Sequence, residues 1–268
     1  MSTMEDVFDR SLLVPLKWDS EHFGFPVARL ETVSDARLAF ELLRQARRRN
    51  IVLVYGQLDA AKEFPGDLLA EFAGRLVDWK VTYHSAFARP AGMDRVSVPR
   101  GVCIREYTAR TTCSQLRSLA IAASEYSRFR TDPSFPLDKL ISMYTTWIAR
   151  SVQRQAADTV LVAQSEATGE LLGMVTIAIQ AGTGIIGLLS VAVAARGQRI
   201  GSALIAAAHT WLAERELNQC RVTTQQDNVP ACRLYESCGY TCQEVVQVYH
   251  FWPQGTESRA HLRRSLAS

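Results

Sequence analysis

Long apolar runs are missing from this 268-residue chain, and none reaches the ~18 residues that a membrane span requires. The opening stretch MSTMEDVFDRSLL lacks the basic and apolar regions of a secretory signal, so a cytoplasmic location is expected. Glycine and proline are sparse, at 15 and 9 residues, which excludes collagen-like and low-complexity architectures. No GxxxxGK[ST] occurs, which excludes a P-loop kinase or ATPase. The five histidines and six cysteines form no paired CxxC or HxxxH spacing, so no metal site is expected. A chain of this size needs no disulfide staples, and Cys103, Cys113, Cys220, Cys232, Cys238 and Cys242 are read as reduced thiols. Charge of one sign is also weak. A net +3 gives no concentrated basic face for nucleic acid, though it suits a small anionic ligand.

What is present is enough apolar side chain, 47% of residues, to fill one large domain or two modest ones. In the first hundred residues, Ser34 and Asp35 offer an N-cap to a helix over ARLAFELLRQARRR, with Leu38, Leu42 and Leu43 at helical spacing. IVLVYGQL reads as a buried strand, DLLAEFAGRL as a second helix and KVTYHSAFAR as a further strand. The stretch ARPAGMDRVSVPRGV, with two prolines and two glycines, reads as a linker, placing a domain boundary near residue 100. After it come a strand at CIREYT and helices over TTCSQLRSLAIAASEY and PLDKLISMYTTWIARSVQ, separated by the polar SRFRTDPSF. Strands TVLVAQS, LLGMVTIAIQ and GIIGLLSVAVA follow, then the helix SALIAAAHTWLAEREL. CRVTTQ, a short helix over VPACRLYESC and a strand pair from Tyr240 to Trp252 complete the order. It implies an α/β or α+β sheet, antiparallel at first, with a βαβ crossover behind it.

A literal GxGxxG at Gly182–Gly187 opens a strand instead of a helix, so it reads as a glycine turn and not a dinucleotide fingerprint. The informative stretch is LLSVAVAARGQRIGSALIAAAHTWL. There a strand ends, a short loop carries Gly197 and Gly201 flanked by Arg196 and Arg199, and a long helix begins at once. The free N–H groups and dipole at that helix start suit an anion, favouring a pyrophosphate site over an ordinary βα connection. The Arg44, Arg47, Arg48, Arg49 cluster closes a helix, where cations favour the dipole. Trp18 and His22 are read as packing and turn residues, and Asp132 as a helix cap ahead of Pro133.

R-G-Q-R-I-G-S-A resembles the pyrophosphate motif Gln/Arg-x-x-Gly-x-Gly/Ala of the GCN5-related N-acetyltransferases, the GNAT family. N-V-P-A-C-R-L-Y-E-S-C-G-Y, from Asn228 to Tyr240, is similar to the family's second acetyl-CoA segment. One departure is Arg199, which stands where the family's first motif glycine is usual. The resemblance covers about residues 101–252 and implies a GNAT fold with a splayed mixed sheet. A smaller α/β domain over 1–100 would precede it, which could be a degenerate half of the same fold on the acceptor side; a tail over 253–268 would follow.

The resemblance implies acetyl-CoA as co-substrate, with no metal. Backbone at Leu189 and Val191 would hold the pantetheine arm. Amides over Arg196, Gly197, Gln198, Arg199, Ile200, Gly201 and Ser202 would cradle the pyrophosphate. Asn228 and Leu234 would also contact the cofactor, and Tyr235 would give a proton to the leaving thiolate. The rival reading of Tyr235 is an inward-packing helix aromatic, which the motif context disfavours. Further segments (P-L-K-W-D-S-E-H-F-G-F, S-R-F-R-T-D, I-G-L-L, Y-T-T-W-I, R-V-T-T-Q-Q-D-N) resemble those of the dTDP-fucosamine N-acetyltransferases of enterobacterial common antigen synthesis. They imply a nucleotide-sugar acceptor, dTDP-4-amino-4,6-dideoxygalactose, with no nucleic-acid or membrane partner. Its diphosphate would meet Arg128 and Arg130, with Tyr126 stacking nearby; a solvated polar loop is the equal alternative. The strand from Ile185 to Val193 carries no Asp or Glu, so no base is named. A homodimer through the C-terminal strands is compatible with this fold but not demanded by TCQEVVQVYHFW. Acetylation of another amine, and a non-catalytic acyl-CoA-binding module, are the rival readings.

Overall fold

The computed structural model describes residues 12–31, 35–87 and 98–255. By compactness the chain divides into one unit of 1–80, 128–139 and 245–268 and a second of 81–127 and 140–244. This differs from a single cut near residue 100, because two later segments join the first unit. Residues 88–97 of the expected linker and 256–268 of the expected tail lie outside the described residues.

In the first unit, β1 (Leu13–Pro15) pairs antiparallel with β2 (Val27–Leu30), and β2 pairs parallel with β3 (Leu53–Asp59). The end of β10 (Thr241–Phe251) lies antiparallel to β3, in the register Val246↔Asp59 to Phe251↔Val54. Helix α1 (Lys17–Phe23) lies between β1 and β2, and α2 (Ala36–Arg48) between β2 and β3. Asp35 caps α2 by accepting from the Arg37 N–H at 2.8 Å. Its Ala39, Leu42, Leu43 and Ala46 share one buried face and join Val54, Leu58, Phe72 and Phe251 in the core. Arg44 and Arg47 at its end both pair with Glu71.

Three readings of this unit are corrected. The helix expected over DLLAEFAGRL stops early. It is α3 (Gly66–Glu71), because Ala73 turns to a φ of 47° and β4 (Arg75–Ala86) starts at once. The expected strand pair from Tyr240 to Trp252 is the single strand β10. SRFRTDPSF is no polar loop either. It holds the short helix α5 (Arg128–Thr131) and buries Phe129, Asp132 and Phe135. The Asp132 carboxylate caps the turn through Ser134 N–H, but it also accepts from His250 Nδ1 at 2.8 Å and Trp252 Nε1 at 3.0 Å. Trp18 and His22 stack in parallel at 4.9 Å.

The second unit begins with β5 (Val102–Glu106), α4 (Ser114–Ala122) and α6 (Leu137–Val152), the last entering it at Leu140. Strands β5, β6 (Thr159–Ser165), β7 (Leu171–Gln180) and β8 (Thr183–Val191) form an antiparallel meander. Helix α7 (Ile200–Ala213) crosses to β9 (Gln219–Gln225), which runs parallel to β8, and α8 (Val229–Ser237) follows. The GxGxxG stretch begins in the β7–β8 turn. Ala181 and Gly182 form that turn, and Gly187 lies where Gly187 and Leu188 together oppose Thr176. Leu188 N–H donates to the Thr176 hydroxyl at 2.8 Å instead of to a strand carbonyl. Such a bulge bends the strand. The β8–β9 ladder covers only Gly184–Ile186 against Cys220–Val222, although β8 continues to Val191 and β9 to Gln225. The two strands therefore part toward their C-terminal ends.

Two histidines, His250 buried and His209 half-buried, make stability depend on acid. Burial lowers His250 to about 4 despite its bond to Asp132, and the Arg128 charge acts with burial. Burial also takes His209, stacked on Phe87, to about 4. Both rings are neutral in the fold and ionise near pH 6.5 when unfolded. The unfolded chain binds more protons in that window. Stability should be full above pH 6.5 and fall toward pH 4, by up to ~1.4 kcal/mol per pH unit for each ring. Urea midpoints at pH 7.5, 6 and 5 check this; a flat profile would mean that the rings are charged in the fold.

Candidate functional site

In the second unit a cavity of about 380 Å³ opens where β8 and β9 part. Its walls are the last residues of β8 (Leu189, Ser190, Val191), the loop into α7, the start of α8 and the end of α4. After β8 a 3₁₀ turn over Val193–Ala195 leads into Arg196. Gly197 has a φ of 76°, and Arg199, as N-cap of α7, has 60°. The first bond of the helical ladder runs from Ala203 N–H to Arg199 carbonyl. The N–H groups of Ile200, Gly201 and Ser202 thus lie ahead of that ladder, at the positive end of a 14-residue helix.

Gly201 allows α7 and α8 to pack closely. A Cβ there would stand 3.0 Å from Leu234 Cδ2, so α7 and α8 approach through a missing side chain. Asn228 caps α8, its Oδ1 accepting from Ala231 N–H at 3.2 Å. Asn228 also lines the cavity. The charged residues lining the cavity are Arg196, Arg199 and Glu125. Arg196 Nη2 donates to Glu125 Oε2 at 3.1 Å, and Arg196 Nε reaches Val191 carbonyl at 3.4 Å. Two guanidinium groups and a helix N-terminus around one cavity can bind a phosphate-bearing anion.

Of the residues singled out from sequence, Leu189, Val191, Arg196, Gly197, Arg199, Ile200, Gly201, Ser202, Asn228, Leu234 and Tyr126 all line this cavity. Gln198 does not; its Nε2 donates to Ala194 carbonyl at 3.2 Å, which braces the loop from behind. Tyr235 does not line it either. Its ring is buried between Tyr83 and Tyr240, with centroids 5.9 and 5.7 Å away. Burial first, then nearby Cys232, Cys220 and Cys238, push its phenol up, so it stays protonated. Arg128 and Arg130 belong to the first unit. The Arg128 guanidinium lies 4.5 Å from the Tyr55 ring centre and 4.7 Å from that of Phe129. Sequence reasoning missed Glu125 and Ser190. Nothing local marks Glu125, a single acid at a helix end, and Ser190 looks like any strand residue. Among the described residues, no group of three or more His, Cys, Asp or Glu is placed to hold a metal, and no helix is long and apolar enough to cross a membrane.

Residues 121–240 match the family described as Acetyltransferase (GNAT) family. The chain is 28% identical over 136 residues to the spore coat polysaccharide biosynthesis protein SpsD of Bacillus subtilis (strain 168), covering 50% of this chain and 45% of that one. It is 46% identical over 46 residues to a streptothricin acetyltransferase of Escherichia coli, covering 17% of this chain and 26% of the relative. The matches thus span less than half the length of these curated relatives. A GCN5-related N-acetyltransferase from Sphaerobacter thermophilus shares the fold, with a TM-score of 0.58 at 16% identity over 89% of this chain and 75% of the other. The stretch that builds the cavity, from the end of α4 to the turn after α8, is thus the part of the chain that matches the GNAT acetyltransferase family.

Proposed function

We propose that this protein is an acetyl-CoA-dependent N-acetyltransferase acting on a small-molecule amine. More narrowly, we propose the 4-amino group of a dTDP-4-amino-4,6-dideoxyhexose of galacto configuration as the acceptor. The single observation carrying the first step is the cavity. It joins parted strands, a helix N-terminus with free amides, and Arg196 and Arg199 in one place, which suits a thioester arm ending in phosphates. Support for a sugar acceptor comes from the SpsD likeness, since that protein's name ties it to polysaccharide biosynthesis, and from the collinear sequence segments described above.

In the proposed reaction the neutral amine attacks the thioester carbonyl, so a C–N bond forms and the C–S bond breaks. A backbone amide near Val191 would take the oxyanion. The amine gives up a proton to solvent, and Tyr235 would supply one to the departing sulfur only by turning from its packing between Tyr83 and Tyr240 toward the cavity. Arg128 and Arg130 would meet the acceptor diphosphate. The likeness to a streptothricin acetyltransferase favours a second reading, an antibiotic or other basic amine as acceptor.

The test is a mass-spectrometric screen of purified protein and acetyl-CoA against dTDP-4-amino-4,6-dideoxygalactose, its gluco epimer, free amino sugars, streptothricin and a lysine peptide. Acetylation of the galacto nucleotide sugar is the expected result. Acetylation of streptothricin alone would replace the acceptor while keeping the chemistry. Coenzyme binding with no acetylated product would favour a non-catalytic acyl-CoA module.

A further inference from the structure

The anion cavity carries its own carboxylate. Among the described residues that line it, Glu125 is the one acidic side chain, and it stands in the turn after α4, opposite the Arg196 loop. A carboxylate beside a phosphate site is unfavourable in itself, because like charges at short range repel. Here it is neutralised by Arg196 at 3.1 Å, with the two side chains 51% and 49% exposed. A half-exposed pair of this kind is worth little and exchanges partners readily.

From this geometry we infer that Glu125 is a built-in counter-anion, occupying Arg196 until a phosphate of the incoming ligand takes its place. This inference rests on the reading that the cavity receives the coenzyme's phosphates. While free, the pair holds the Arg196 side chain over the cavity, helped by its Nε contact to Val191 carbonyl. On binding, the guanidinium passes to the phosphate and the Glu125 carboxylate is released. Glu125 therefore acts on affinity through Arg196 and is a positioning residue. It lowers coenzyme affinity in a way that depends on the ligand's phosphates.

The experiment compares acetyl-CoA with acetyl-pantetheine, which has the same thioester arm but no phosphate, by isothermal titration calorimetry. Glu125→Gln keeps the side-chain shape and removes the charge. It should lower the Kd of acetyl-CoA about fivefold and leave that of acetyl-pantetheine unchanged. Arg196→Gln should raise the acetyl-CoA Kd, and in that background the effect of Glu125→Gln should shrink. An unchanged or weaker acetyl-CoA affinity in Glu125→Gln would overturn the exchange, and so would an equal change for both ligands. Wild-type protein that binds neither ligand would sink the coenzyme reading itself and the exchange with it.

Discussion

Asp132→Ala should destabilise the first unit by about 3–5 kcal/mol, the expected loss when two buried donors lose their acceptor and a cavity is left. Asp132 is 2% exposed and His250 and Trp252 no more than 1%. Its carboxylate takes hydrogen bonds from His250 Nδ1, Trp252 Nε1 and Ser134 N–H. Burial alone would raise its pKa, but those bonds outweigh burial and hold it below the usual carboxylate value. Removing it leaves two ring N–H groups buried without an acceptor, each costing about 1–3 kcal/mol, together with a small cavity. Asp132→Asn should cost less, because the amide oxygen still accepts from one ring. Urea denaturation followed by Trp fluorescence measures both. A loss under ~1 kcal/mol for Asp132→Ala would mean that water reaches these groups and replaces the carboxylate.

Tyr235→Phe should lower kcat about 100-fold with little change in the KM for acetyl-CoA, the lower end of what a lost proton donor costs. The substitution keeps the ring that packs between Tyr83 and Tyr240 and removes only the hydroxyl. It therefore separates chemistry from packing. If Tyr235 serves packing alone, kcat will hold for Phe, while Tyr235→Ala will lower the melting temperature. Because burial raises the phenol, the wild-type rate should not fall on the alkaline side until well above pH 10. A fall near pH 8 would point to another donor.

Most secondary structure was legible along the chain because its signals are local. TVLVAQS and LLGMVTIAIQ became β6 and β7 with the same bounds, and the capped amphipathic stretch after Asp35 became α2. The errors fell where local signals ran out. DLLAEFAGRL has helical apolar spacing throughout, yet strand pairing claims its end as β4. SRFRTDPSF looks solvated until its Phe129, Asp132 and Phe135 meet partners far away in sequence.

By itself the sequence determined the glycine-and-arginine loop ahead of a long helix and the short helix after it, and hence where an anion is expected. Those features rest on backbone conformation and helix ends, which neighbouring residues dictate. Only the tertiary structure decided that Glu125 faces Arg196 across 71 residues, and that His250 and Trp252 reach Asp132 across 118 and 120. Only there, too, does Leu234 fill the space that Gly201 leaves. Such pairings depend on which faces the packed elements present to one another, and no spacing within a single element encodes them.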